Sequence, residues 1–120
     1  MDMISQQNLP VYIEKTLPEL SAICEKGKGK STYDLIREML WYVKAKVAEH
    51  NIIAAKKCMF LTETLYKKGN VTIKNAIENV FIYSFSHAFF YDEKNRKEIL
   101  NIVPMSLYEV YKRQVINSHL

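Results

Sequence analysis

Val71-Thr72-Ile73-Lys74-Asn75-Ala76-Ile77-Glu78-Asn79-Val80-Phe81-Ile82-Tyr83-Ser84-Phe85-Ser86-His87-Ala88-Phe89-Phe90-Tyr91 is the stretch that decides the fold. Ile73, Ile77, Val80, Ser84 and Ala88 recur at three- and four-residue steps, which is helical periodicity. Phe81 and Phe85 widen that stripe on one side, and Ala76 and Tyr83 on the other. Ile82 and Phe89 fall opposite, beside Asn75, Glu78 and Asn79. A helix apolar nearly all round, with no single wet face, has to be covered from several directions. The run therefore predicts the central helix of an all-α protein.

The flanking sequence extends this reading. Asn8 is placed to cap a first helix with Pro10 in its first turn. Leu9, Ile13, Leu17, Leu20 and Cys24 carry one stripe to about Lys26. Pro18 interrupts it, with Thr16 as the expected new cap. Gly27-Lys28-Gly29-Lys30 is a flexible basic break. Ser31 caps a second helix, with Asp34 in capping-box position, and Ile36, Met39, Leu40, Val43 and Val47 form its inner stripe. Trp41, Ala45 and Ala48 lie off that stripe and suggest a second packing face. Glu49-His50-Asn51 is a turn, Asn51 caps a third helix that ends at Lys68-Gly69, and Asn70 or Thr72 begins the central helix. Its inner stripe is Ala54, Ala55, Cys58, Leu61, Thr62 and Leu65. Asp92–Asn95 closes the central helix, Ile99, Leu100, Ile102 and Val103 form a short fifth one, and Pro104 precedes a last helix. That helix places Leu107, Tyr108, Tyr111 and Val115 on one side. No segment alternates with period two. The expectation is one domain over residues 1–120, with five to six helices in antiparallel hairpins around Val71–Tyr91.

The totals fit that architecture. The chain has 120 residues, 48% hydrophobic and 25% charged, with 3 Gly and 3 Pro. So few turn formers favour a small number of long elements. A chain of this size buries roughly two-thirds of its unfolded surface. The net charge is +4, from 17 basic and 13 acidic side chains. Arginine appears only at Arg37, Arg96 and Arg113, so the excess is carried by lysine, the weaker bidentate partner for phosphate. No span of ~20 apolar residues is present, and Met1–Asn8 lacks the pattern of a signal peptide. The expected compartment is the cytoplasm. Cys24 and Cys58 sit on apolar sides of their helices and are expected as buried free thiols.

Motifs for catalysis are missing at every place they would be sought. Gly29-Lys30-Ser31-Thr32 resembles the end of a P-loop, but Cys24 occupies the position of the required first glycine, and a helix precedes the loop where a strand is needed. His50, His87 and His119 show no helical zinc spacing. Glu78, Asn79 and His87 are the candidate lining of a small-ligand pocket; the simpler reading gives Glu78 and Asn79 contacts with a neighbouring helix, and His87 a hydrogen-bonded place in the core. Phe81–Tyr91 contains no Lys or Arg, which argues against a base-stacking platform. No enzyme, cofactor or metal is expected.

Phe60 stands out instead. Helical spacing surrounds it with Lys56, Lys57, Glu63, Thr64 and Lys67. An aromatic on a lysine-rich face suits a partner surface, although the lysine stems could equally cover a ring packed beneath the first helix. Phe60, Lys56, Lys57, Lys67 and Trp41 are accordingly the expected partner-binding residues, and a protein partner of undefined identity is the leading expectation. A nucleic acid bound through Lys28, Lys30, Lys56, Lys57, Lys67 and Lys68 is the alternative. Self-association is left open, and no membrane role is expected.

The run from Ala55 to Tyr66 (AKKCMFLTETLY), followed by Lys68-Gly69-Asn70 and by Asn75-Ala76-Ile77-Glu78-Asn79-Val80-Phe81, resembles a small bacterial all-helical family that is a domain of unknown function. The resemblance spans about Leu35 to Val115. It implies an all-α bacterial protein and transfers no catalytic residue. Toxin-neutralising immunity proteins share this size and class, and an immunity role is one version of the interaction reading.

Overall fold

Each helix of the structure, a computed structural model, starts or stops at a signal carried by the local sequence. Residues 3–22, 31–82, 97 and 101–118 are described. Helix α1 spans Leu9–Thr16, and a 3-10 turn follows at Pro18–Leu20. Helices α2 and α3 span Thr32–Ala48 and Ile52–Lys68. Helix α4 spans Val71–Ala76 and passes into a π-helical turn at Ile77–Ile82. Helix α5 spans Met105–Ser118. No strand occurs among the described residues, so the all-α class holds.

Capping follows the expected chemistry in three places and departs from it in two. Ser31 Oγ accepts from the Asp34 amide at 3.1 Å. Hydrogen bonds from Ser31 in turn hold the Asp34 carboxyl below its ordinary value, with Arg37 adding to the effect. Asn51 Oδ1 accepts from Ala54 at 3.2 Å, and Asn70 Oδ1 from Ile73 at 3.1 Å. Asn8 occupies the cap position of α1, but its side chain makes no cap hydrogen bond. Thr16 is the last residue of α1 and not a new cap; Leu17 takes that place, because its amide still closes on Ile13 O at 2.8 Å before Pro18 stops the ladder.

The turn between α2 and α3 is built from backbone alone. The His50 amide donates to Val47 O at 3.0 Å and the Asn51 amide to Lys46 O at 2.8 Å. These are the two bonds of a Schellman motif, which places its pivot residue in the left-handed region. His50 is that pivot, with φ 61°. Asn51 then caps α3, so one turn ends a helix and begins the next.

Gly69 ends α3 in extended backbone, not in the left-handed conformation common at such stops. What it supplies is space. A Cβ there would collide with Leu65 O and lie 2.6 Å from Ile73 Cγ2. The same corner receives the N-terminal segment. Ile4 donates to Lys68 O and accepts from the Asn70 amide, both at 2.8 Å, forming one parallel bridge with Gly69. The Asn70 side chain also donates to Gln6. Ile4 is buried.

Among the described residues, the buried hydrophobic side chains form one cluster. All five expected inner residues of α2 belong to it, as do Leu9, Ile13, Leu17 and Leu20. Each fully buried Leu or Ile contributes about 1.5–3 kcal/mol. In α3, Met59 joins the core, and Ala54 is only half-buried. In α5, Leu107 and Val110 point inward, whereas Tyr108 lies at the surface; the Val115 side chain lies outside the described residues. Ile102 is buried and Val103 packs on the cluster, while Ile99 and Leu100 of the expected short helix lie outside the described residues. Trp41, Ala45 and Ala48 are exposed, so their face of α2 is not covered as a second packing face.

The stretch quoted first is described as far as Ile82. Ile73, Ala76, Ile77 and Val80 are buried, and the segment packs against α2, α3 and α5. It does have a wet edge: Val71, Asn75 and Asn79 are exposed at four-residue steps. Nor does the α-helical spacing persist, because the backbone widens into the π-helical turn after Ala76. The second half of the run, with His87, lies outside the described residues, as do Cys24 and Lys28. No helix of the described residues is long and apolar enough to cross a membrane.

Candidate interaction site

Pro18 creates the site. By ending α1 it turns the chain into the 3-10 turn, and the corner stands off from α3. Between them lies an open groove of about 330 Å³, lined by Thr16, Leu17, Pro18, Glu19, Lys57, Phe60, Leu61 and Thr64. Ligand sites run from about 300 to 1,000 Å³, so this one has room for a large side chain or two. Leu17 and Leu61 are buried beneath it, and Phe60 is 52% exposed. Glu19 and Lys57 give the rim one charge of each sign.

Helical geometry sorts the rest of α3 around Phe60. Lys57 and Thr64 fall on the groove side. The Thr64 hydroxyl is occupied by the helix itself, donating to Phe60 O at 3.1 Å. Lys56 lies on the other flank with its Nζ 5.9 Å from the Phe60 ring centroid, within cation–π range. Lys67 turns away to pair with Glu63 at 3.8 Å. Glu63 also accepts from Ser106 Oγ at 2.6 Å, tying the start of α5 to α3. Trp41 is 53% exposed but belongs to a different helix, with Lys44 4.8 Å from its ring.

Of the five expected partner-binding residues, the structure thus gathers Phe60, Lys57 and Lys56. It leaves Lys67 in a local pair and Trp41 outside the groove lining. The residues that sequence reasoning missed are those of the α1 corner, Thr16 to Glu19. Pro18 signals the helix break but carries no signal that the corner faces Phe60.

Glu78 is positioned by a partner in α3. Tyr66 Oη donates to Glu78 Oε1 at 2.7 Å. Burial pushes the Tyr66 phenol above its ordinary value, Glu78 adds to this, and Arg113 of α5 opposes it. Asn79 is exposed beside this group. The contact with a neighbouring helix expected for Glu78 is present.

Cys58 is a free thiol buried against α2, donating to Met39 O at 3.7 Å. Burial pushes it up to about 12, which removes the thiolate that nucleophilic chemistry needs. Among the described residues no group of three potential ligands could hold a metal ion.

A family model described as "Domain of unknown function (DUF7674)" matches residues 10–117, and the chain belongs to that family. The match reaches further toward the N-terminus than the resemblance read from α3 and α4, and takes in α1 and the Pro18 corner. No curated protein and no solved structure matches the chain.

Proposed function

We propose that this member of the family is a non-enzymatic interaction module that binds a protein partner through the Phe60 face of α3 and the groove beside it. The observation that carries this reading is the state of Phe60. An aromatic ring left half in water, over a groove with a buried apolar floor, gains from being covered. Aromatic anchors seated in pockets dominate the energetics of protein interfaces. Lys56 and Lys57 supply the charged surround that steers encounter.

The test is recovery of bound material from the native host, using tagged wild type and Phe60→Ala, at low and moderate salt, with and without nuclease. A partner protein that survives salt and nuclease, and is weakened about thirtyfold or more by Phe60→Ala, supports the module. Recovery of nucleic acid that dissociates steeply with salt would transfer the lysine face to a different function. A partner indifferent to Phe60→Ala would sink the proposed surface.

A further inference from the structure

Lys56 and Lys57 of α3 differ from the cations that pair along their own helix. Arg37 pairs with Asp34 at 2.9 Å, Lys46 with Glu49 at 3.3 Å, and Lys67 with Glu63 at 3.8 Å, each within one helical turn. Lys56 and Lys57 cannot do this. Their neighbours at three and four residues are Ile52, Ile53, Ala54, Met59, Phe60 and Leu61, all apolar. Among the described residues neither lysine has a carboxylate partner. Glu19 is, among the described residues, the one acid that lines the groove, on the rim opposite Lys57.

The apolar residues on this face complete a pattern. Ile53, Lys57, Phe60 and Thr64 follow at steps of four, three and four, so they run along one side of α3. Ile53 is 73% exposed, and Phe60 lies two turns further on. Two exposed apolar side chains therefore bracket two adjacent unpaired cations on a track of order 16 Å, at 1.5 Å per residue. The track leads into the groove.

We infer that this track binds an acidic segment of a partner protein in which a large apolar or aromatic side chain lies next to clustered carboxylates. The apolar side chain enters the groove against Phe60, and the carboxylates meet Lys56 and Lys57. The argument is charge complementarity. Two ammonium groups with no local acid are matched by carboxylates from outside, and the chain's own charge of +4 attracts an acidic partner at longer range. A basic segment would meet Glu19 alone and be repelled by both lysines. This rests on the reading of the Phe60 face as the binding surface and adds the partner's chemistry to it.

The test is a selection of short random peptides displayed on phage against the wild-type protein. The selected peptides are then measured against Phe60→Ala, Phe60→Asp and the double variant Lys56→Glu/Lys57→Glu. All the altered residues are exposed on a helix, and retention of helical circular dichroism and of the melting temperature checks that each variant folds. The expected peptides carry Asp or Glu beside an aromatic or large aliphatic residue. They lose about tenfold or more in affinity with either class of variant, and bind more weakly as salt rises. Peptides that need Phe60 but are neutral or basic, or that ignore the reversal of Lys56 and Lys57, would overturn the acidic partner and leave the surface standing. If no selected peptide distinguishes wild type from the Phe60 variants, both the partner chemistry and the surface fall.

Discussion

At the level of single residues, His50 carries a cost that the sequence does not advertise. The Schellman turn after α2 needs a left-handed pivot, and His50 fills it with φ 61°. For a residue with a Cβ that conformation costs about 1–2 kcal/mol. Glycine removes the cost but adds freedom to the unfolded chain, worth about 0.4–1 kcal/mol. The difference favours His50→Gly by about 0.5–1 kcal/mol. Thermal unfolding should show a rise of a few degrees, and an unchanged or lower midpoint would contradict the assignment of strain. Gly69 is the converse case. Its backbone conformation is open to any residue, and only the nearness of Leu65 O and Ile73 excludes a side chain. The spacing of apolar residues locates both turns, but the reason each residue sits there appears only in three dimensions.

At the level of elements, the helices were readable because each carries its own punctuation. Ser31, Asn51 and Asn70 each accept from the amide three residues on, and local bonds of this kind can be inferred from a few adjacent positions. The π-helical turn was not readable. Ile73, Ile77 and Val80 fit α-helical spacing, and nothing in that spacing marks the widening after Ala76. The groove was half readable. Phe60 and Lys57 were legible as one side of α3, but the exposure of Phe60 and the Pro18 corner that completes the groove depend on another element. Tyr66 belongs at this scale, since it joins α3 to the π-helical turn through Glu78. Its phenol titrates in the fold above the ordinary value of 10.0. The neutral phenol is the form the fold favours, so its contribution is fully present below pH 10.0 and is lost as pH rises through the higher folded value. Tyr66→Phe should lower stability near neutral pH by about 1 kcal/mol. It should also flatten the alkaline limb of the stability profile, although Tyr42, which burial also raises, keeps part of that slope. A variant as stable as wild type near neutral pH would show that the Tyr66–Glu78 bond does not hold the turn.

At the level of the whole molecule, the N-terminal segment closes the structure. Ile4 adds a buried side chain and two backbone hydrogen bonds to the corner between α3 and α4. Ile4→Ala keeps the backbone bonds and removes most of the side chain, which predicts a loss of about 2–4 kcal/mol in chemical denaturation. A loss below about 0.5 kcal/mol would mean that the segment rests on the corner without supporting it. Positions 6 and 70, joined beside this bridge, are 64 residues apart. The surface that receives Ile4 does not exist until α3 has ended at Gly69 and α4 has begun at Asn70. Seating the segment therefore requires both helix ends to be in place, and its detachment is expected to precede the opening of α2 and α3. The amide proton of Ile4, held by Lys68 O, is consequently a reporter: its exchange with solvent marks the detachment of the strap while the amides inside α2 and α3 are still protected.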